Sequence, residues 1–209
     1  MDFIDSLWKQ LFITSALEWI IVTFGFAYLI LITRKKVAAW PCAIIGSLCS
    51  MYLCYGAQFY IEMYLSLFYV IMGIWGWYSW TRTDVKSEEN DYKIKRWPIS
   101  FHAVNICASI GVALLLGYLF GRYTNQSLPF LDAFIAVFSI AATFMVTQKV
   151  LENWIYWVVI DIASVQLYSY RDYYVVAFQM LVYSILAIYG YFNWRKNYLA
   201  QKKGVSIED

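Results

Sequence analysis

The chain has 209 residues, 62% hydrophobic, 21% aromatic and only 14% charged. A soluble globular domain carries about 25% charged residues, so this composition excludes that class and places the chain in a bilayer. The formal net charge is +2, and the Lys and Arg residues stand beside apolar runs, so no nucleic-acid partner is expected. His102 is the single histidine, and Cys42, Cys49, Cys54 and Cys107 contain no Cys-x-x-Cys pair. Haem, zinc and Ser-His-Asp chemistry each need more, so no catalytic residue, metal or cofactor is expected. The cysteines are expected to be small buried hydrophobes.

Residues 1–16 carry Asp2, Asp5 and Lys9 and lack a basic leader or a small-residue cleavage site, so no removable segment is expected. The Phe3, Leu7, Leu11 spacing fits an N-terminal interfacial segment, or equally a frayed first turn of the first span. Seven apolar stretches follow, each long enough to cross a hydrocarbon core of ~30 Å. They run over 17–32, 37–55, 60–80, 100–120, 130–146, 154–170 and 174–194. Residues 17–80 are read as a first three-helix bundle and 81–99 as a cytoplasmic linker. Residues 100–128 form a linker transmembrane helix with an outer loop, 129–194 a second three-helix bundle, and 195–209 a cytoplasmic tail. Arg34, Lys35 and Lys36, then Arg82, Lys86, Lys93, Lys95 and Arg96, then Lys149, then Arg195, Lys196, Lys202 and Lys203 follow the odd-numbered spans. Positive flanks stay inside, so the N-terminus is expected outside and the C-terminus in the cytoplasm.

The two bundles repeat each other at an offset of 114 residues. Without a gap, Thr33, Lys35, Trp40, Ser50, Tyr69, Gly76 and Trp80 fall on Thr147, Lys149, Trp154, Ser164, Tyr183, Gly190 and Trp194. Three spans cross an odd number of times, so a second copy joined directly would be inverted. The unpaired span over 100–120 restores its orientation. The expected fold class is therefore an all-α integral membrane protein of seven transmembrane helices in a 3+1+3 parallel repeat, the SWEET-like arrangement.

Polar groups inside the spans point toward transport. An ionised carboxylate near mid-bilayer costs on the order of 3 kcal/mol or more, so it persists where it is paired, neutralised or facing water. Glu18 and Asp132 are repeat-equivalent at the start of their bundles, where helix capping explains them. Asp161 lies about two turns into the sixth span and aligns with Ser47, so the second copy holds a charge the first lacks. Either a pathway or a structural partner accounts for it. Gln58, Gln166 and Gln179 lie within or beside the spans, and Tyr69 and Tyr183 are repeat-equivalent at mid-helix. Interhelical hydrogen bonding is the plain alternative for each.

Aromatic residues sharpen the candidate site. Trp77 and Trp80 form a Trp-x-x-Trp beside Gly73 and Gly76, and Asn153, Trp154 and Trp157 form an Asn-Trp-x-x-Trp. Membrane-interface anchoring also explains tryptophans so placed, Trp80 and Trp194 above all. Stacking rings and an amide would together suit a flat, nucleoside-like or cationic solute.

At these residues the chain resembles the PnuC family of bacterial nicotinamide riboside transporters. The resemblance is densest at Leu131, Asp132, Ala133, Lys149, Asn153, Trp154, Trp157, Asp161, Tyr168, Gly190 and Trp194, with Trp40, Pro41 and the run from Gly73 to Trp80 as the first-half counterpart. It implies a bacterial inner-membrane protein that takes up nicotinamide riboside by facilitated diffusion, held in the cell by phosphorylation, and assembled as a homotrimer. Trp77, Trp80, Asn153, Trp157 and Asp161 are the binding candidates it implies, and depth adds Tyr69, Gln179 and Tyr183. Thr143 stands where the family pattern leads one to expect glutamine. The expected mechanism is alternating access of the two bundles. A SWEET-like sugar carrier, or a carrier of another vitamin or nucleoside, is the alternative, and the aromatic excess argues against a sugar.

Overall fold

The computed structural model describes residues 16–56, 60–85, 93–124 and 127–203. The proposed N-terminal interfacial segment lies outside them but for its last residue, as do Gln58 and Lys86. Among the described residues the fold is all-helical, with seven helices: α1 (Ala16–Thr33), α2 (Ala39–Gly56), α3 (Tyr60–Val85), α4 (Ile99–Tyr123), α5 (Pro129–Thr147), α6 (Asn153–Tyr170) and α7 (Tyr174–Lys203). In hydrocarbon a backbone must satisfy its own N–H and C=O groups, and an apolar helix does so. By length and composition, α1, α2, α4, α5 and α7 can cross a membrane. Helices α3 and α6 are as long but hold Glu62 and Asp161 and many Tyr and Trp, whose polar tips lower their hydropathy.

Helices α3 and α7 outlast their apolar stretches, continuing from Trp80 to Val85 and from Trp194 to Lys203. Arg and Lys are good helix formers in water, and cations suit a helix C-terminus. Three helices end in the same way. Lys35, Lys149 and Asp172 follow α1, α5 and α6 in the left-handed region, at φ 56°, 56° and 61°. The next N–H reaches back five residues in each case: Lys36 to Leu31 O at 3.0 Å, Val150 to Met145 O at 2.9 Å and Tyr173 to Tyr168 O at 2.9 Å. These are Schellman closures, which satisfy carbonyls the helix leaves open. The first two are repeat-equivalent, as are the hydroxyl bonds of Thr33 to Ile30 O and Thr147 to Phe144 O.

The helices fall into two compact units. In Lys95–Ile188, α5 packs on both α4 and α6. Its core gathers Phe138, Ala142, Met145, Val150, Tyr156 and Ile160, with the Phe134 and Phe138 rings 4.4 Å apart. In Ile13–Ile94 with Tyr189–Asp209, α2 packs on both α1 and α3, and the later turns of α7 join them. Here the core is built of tryptophan. The Trp80 ring meets Trp40 edge-on at 5.4 Å and Trp194 at 6.4 Å. Asn193 Nδ2 and Trp194 Nε1 donate to Thr33 O at 2.8 Å and Ile32 O at 3.2 Å, covering carbonyls at the end of α1. The expectation of four buried cysteines needs correction: Cys54 is buried, Cys42 and Cys49 are partly so, and Cys107 is exposed on α4. A thiol is small enough to occupy either face of an apolar helix.

Candidate functional site

Helix α6 places three candidates along one strip. Asn153, Trp157 and Asp161 are spaced by four, so they stack on one face of the helix. Asn153 is fully buried at the first turn; its Nδ2 donates to Val150 O at 2.5 Å, and its Oδ1 has no hydrogen-bond partner among the described residues. Trp157 is half-buried against the core around Phe138 and Ile160. Asp161 is 5% exposed.

On α7 of the same unit, Gln179 Nε2 donates to the Tyr183 hydroxyl at 2.8 Å, one turn along the helix. Both side chains are half-buried. Asp161 lies near enough for its charge to act on that hydroxyl. Gln179 and Tyr183 thus stand together on α7, and Asn153 and Trp157 precede Asp161 along one face of α6. An acceptor-only carboxylate, an amide and a phenol can between them hold hydroxyl, amide or cationic groups.

The other unit holds Tyr69, Trp77 and Trp80. Tyr69 is half-buried with its ring 5.8 Å from Phe68. Trp77 and Trp80 are separated in environment. Trp80 is 2% exposed within the tryptophan core, whereas Trp77 is 45% exposed on the face it shares with Ile74 and Tyr78. Gly76 precedes Trp77, and there the Trp40 ring occupies the space a Cβ would need.

Several polar residues are satisfied locally. Thr143 is buried and donates to Ser139 O at 2.7 Å, so its hydroxyl is spent on its own helix. Gln166 is exposed. Asp132 does more than sit at the start of α5. Arg171, in the turn after α6, forms a two-pronged ion pair with it, Nη1 to Oδ1 at 3.3 Å and Nη2 to Oδ2. Nη2 also donates to Ser127 O at 2.8 Å and Nε to Ser127 Oγ at 3.2 Å. Sequence reasoning missed that partnership, although Arg171 is a cation in the short turn between α6 and α7, apart from the main basic clusters. It also missed a polar cluster around Glu152 and His102 at the start of α6, whose members are about 50 residues apart in sequence.

Long apolar helices with buried polar side chains at mid-helix mark a multi-pass helical membrane protein. Residues 15–196 match the model of the nicotinamide mononucleotide transporter family, and the chain belongs to that family, the PnuC transporters. It is similar to the nicotinamide riboside transporter PnuC of Escherichia coli (strain K12), at 26% identity over 66% of this chain and 67% of that protein. The riboflavin/roseoflavin transporter RibM of Streptomyces davaonensis is 24% identical over 77% of this chain and 76% of its own. The PnuC of Haemophilus influenzae is 20% identical over 92% of this chain and 89% of its own. The crystal structure of the Vitamin B3 transporter PnuC shares the fold, with a TM-score of 0.72 at 20% identity, over 94% of this chain and 90% of that one. Family membership makes this chain a membrane transporter and not an enzyme.

Proposed function

We propose that the chain carries nicotinamide riboside into the cell by facilitated diffusion, with alternating access of two three-helix bundles and phosphorylation inside retaining the product. The observation that carries this reading is Asp161. It is a carboxylate buried at mid-helix, with no hydrogen bond or ion pair among the described residues, and its charge acts on the Tyr183 hydroxyl. A buried carboxylate without a counter-charge is costly, and the cationic nicotinamide ring would supply one. Trp157 would offer a ring face to that cation, and Trp77 is the stacking candidate of the other unit. Tyr183, Gln179 and Asn153 would take the ribose hydroxyls and the carboxamide; Tyr69 is the polar candidate of the other unit, where Trp80 would support Trp77 from the core. The seven helices would all span, as a 3+1+3 parallel repeat of SWEET-like form. The N-terminus would then be periplasmic and the C-terminus cytoplasmic, in the inner membrane of a bacterium and as a homotrimer.

A flavin carrier is the second reading, favoured by the similarity to RibM. The flavin ring is uncharged, so it gives Asp161 no counter-ion. Calorimetric titration of the purified protein with nicotinamide riboside, riboflavin, thiamine and simple sugars separates the two. Saturable binding of nicotinamide riboside alone supports the proposal, and binding of riboflavin alone replaces it.

A further inference from the structure

A polar cluster apart from the candidate strip ties the segment before α4, and α4 itself, to the start of α6. Lys95 N–H donates to Lys149 O and its carbonyl accepts from Leu151 N–H, each at 2.9 Å, forming a single parallel bridge across Val150. Beside it Arg96 Nε donates to Glu152 Oε1 at 2.6 Å. His102, in the first turn of α4, sets Nδ1 3.1 Å from the Tyr156 hydroxyl of α6, which Asn105 Nδ2 approaches at 3.5 Å. The Trp97 ring lies 5.9 Å from the imidazole.

The donors and acceptors of this cluster fit together in one direction. His102 Nε2 and Glu152 Oε2 are both buried, neither has a hydrogen-bond partner among the described residues, and they lie 3.8 Å apart. A carboxylate only accepts, so the proton of a neutral imidazole belongs on Nε2, facing it. That tautomer leaves Nδ1 an acceptor, and the Tyr156 hydroxyl donates to it. The hydroxyl oxygen keeps its lone pairs for the Asn105 amide, whose nitrogen can only donate. The last torsion of a glutamate is soft, so a turn of the carboxylate closes the 3.8 Å gap, and the Arg96 side chain, 56% exposed, is free to follow it.

We propose that Asn105, Tyr156, His102, Glu152 and Arg96 form one directed hydrogen-bond chain with the imidazole proton on Nε2, and that this chain sets the rotation of α6 about its own axis. Glu152 and Tyr156 are four residues apart, so they pin one face of the helix at points one turn apart. Asn153 and Trp157 each follow a pinned residue, and Asp161 continues their strip. Successive residues of an α-helix stand at a fixed angle of about 100°, so fixing the first face fixes the second. His102 is thereby a positioning residue: it acts through Glu152 and Tyr156 on the strip beside them. That the strip binds a solute rests on the transport proposal; the chain itself does not.

His102 is the only histidine, so protein labelled at histidine nitrogen reports one imidazole in micelles. At about pH 8, above the ordinary imidazole range near 6.5, the chain predicts a bare Nδ1 and a protonated Nε2 whose proton exchanges with water slowly enough to be seen. In Glu152→Ala that proton loses its acceptor and should exchange too fast to be seen. A proton on Nδ1, an even mixture of tautomers, a doubly protonated ring, or an Nε2 proton indifferent to Glu152→Ala would overturn the chain. Tyr156→Phe deletes one link and keeps the ring that packs on Phe138. It should weaken calorimetric binding of nicotinamide riboside about threefold or more, whereas a merely structural bond would lower only the thermal midpoint. Affinity equal to the parent's would overturn the positioning role. If Glu152→Ala does not fold, the parent imidazole and Tyr156→Phe decide. If the parent binds no nicotinamide riboside, the transport reading falls instead, and the imidazole measurements alone decide the chain.

Discussion

The Trp80 ring stands edge-on to Trp40, with centroids 5.4 Å apart and planes at 84°, while Trp77, three residues earlier on the same helix, leaves its ring 45% exposed. The two tryptophans should respond differently to truncation. Trp80→Ala removes a fully packed ring and should cost about 3 to 5 kcal/mol, seen as a large fall in the thermal midpoint in detergent. Trp77→Ala should leave that midpoint nearly unchanged. Under the proposed stacking role, it should instead weaken nicotinamide riboside binding by more than ~1 kcal/mol, as should Trp157→Ala. Unchanged calorimetric affinity in both Trp77→Ala and Trp157→Ala would remove stacking from the account.

Gly76 is where the Trp40 ring passes closest to α3, and no side chain fits there. Gly76→Ala should overpack the core and destabilise the protein by about 1 to 3 kcal/mol, despite alanine's better helix propensity. Combined with Trp40→Leu, the alanine should cost less than it does alone, because the obstructing ring is gone. Equal costs in the two backgrounds, measured by thermal unfolding, would show that Trp40 is not the obstruction.

Asp132 and Arg171 lock the start of α5 to the turn after α6. Breaking one side leaves a largely buried charge alone, so Asp132→Asn and Arg171→Gln should each destabilise by about 3 kcal/mol. Removing both should cost less than the sum of the single losses, with a coupling of about 1 to 3 kcal/mol in a double-mutant cycle. Strict additivity would show that the pair contributes nothing as a pair.

The helices were legible because an apolar run of bilayer length has few other ways to satisfy its backbone. Only their ends moved, as where α3 and α7 continue past their apolar stretches. One pair of turns was legible from the offset: Lys35 and Lys149 align at 114 residues and share a left-handed φ of 56°. What sequence could not resolve was which side of a uniformly apolar helix faces the core, since such a helix has no polar stripe to mark its surface. Trp77 and Trp80 illustrate this, for spacing set them near one face and packing gave them opposite environments. Long-range polar partners were also hidden. Nothing local to Asp132 announces Arg171, and nothing local to His102 announces Glu152 and Tyr156.

The central claim is that a buried carboxylate on α6 receives the cationic ring of nicotinamide riboside. Uptake of labelled nicotinamide riboside into proteoliposomes by the parent protein and by Asp161→Asn tests it most directly. The account predicts saturable uptake that stops when inside and outside concentrations are equal, reduced about tenfold or more in Asp161→Asn, as loss of roughly 1.4 kcal/mol or more of binding would give. Undiminished uptake by Asp161→Asn, or uptake of riboflavin with none of nicotinamide riboside, would contradict it.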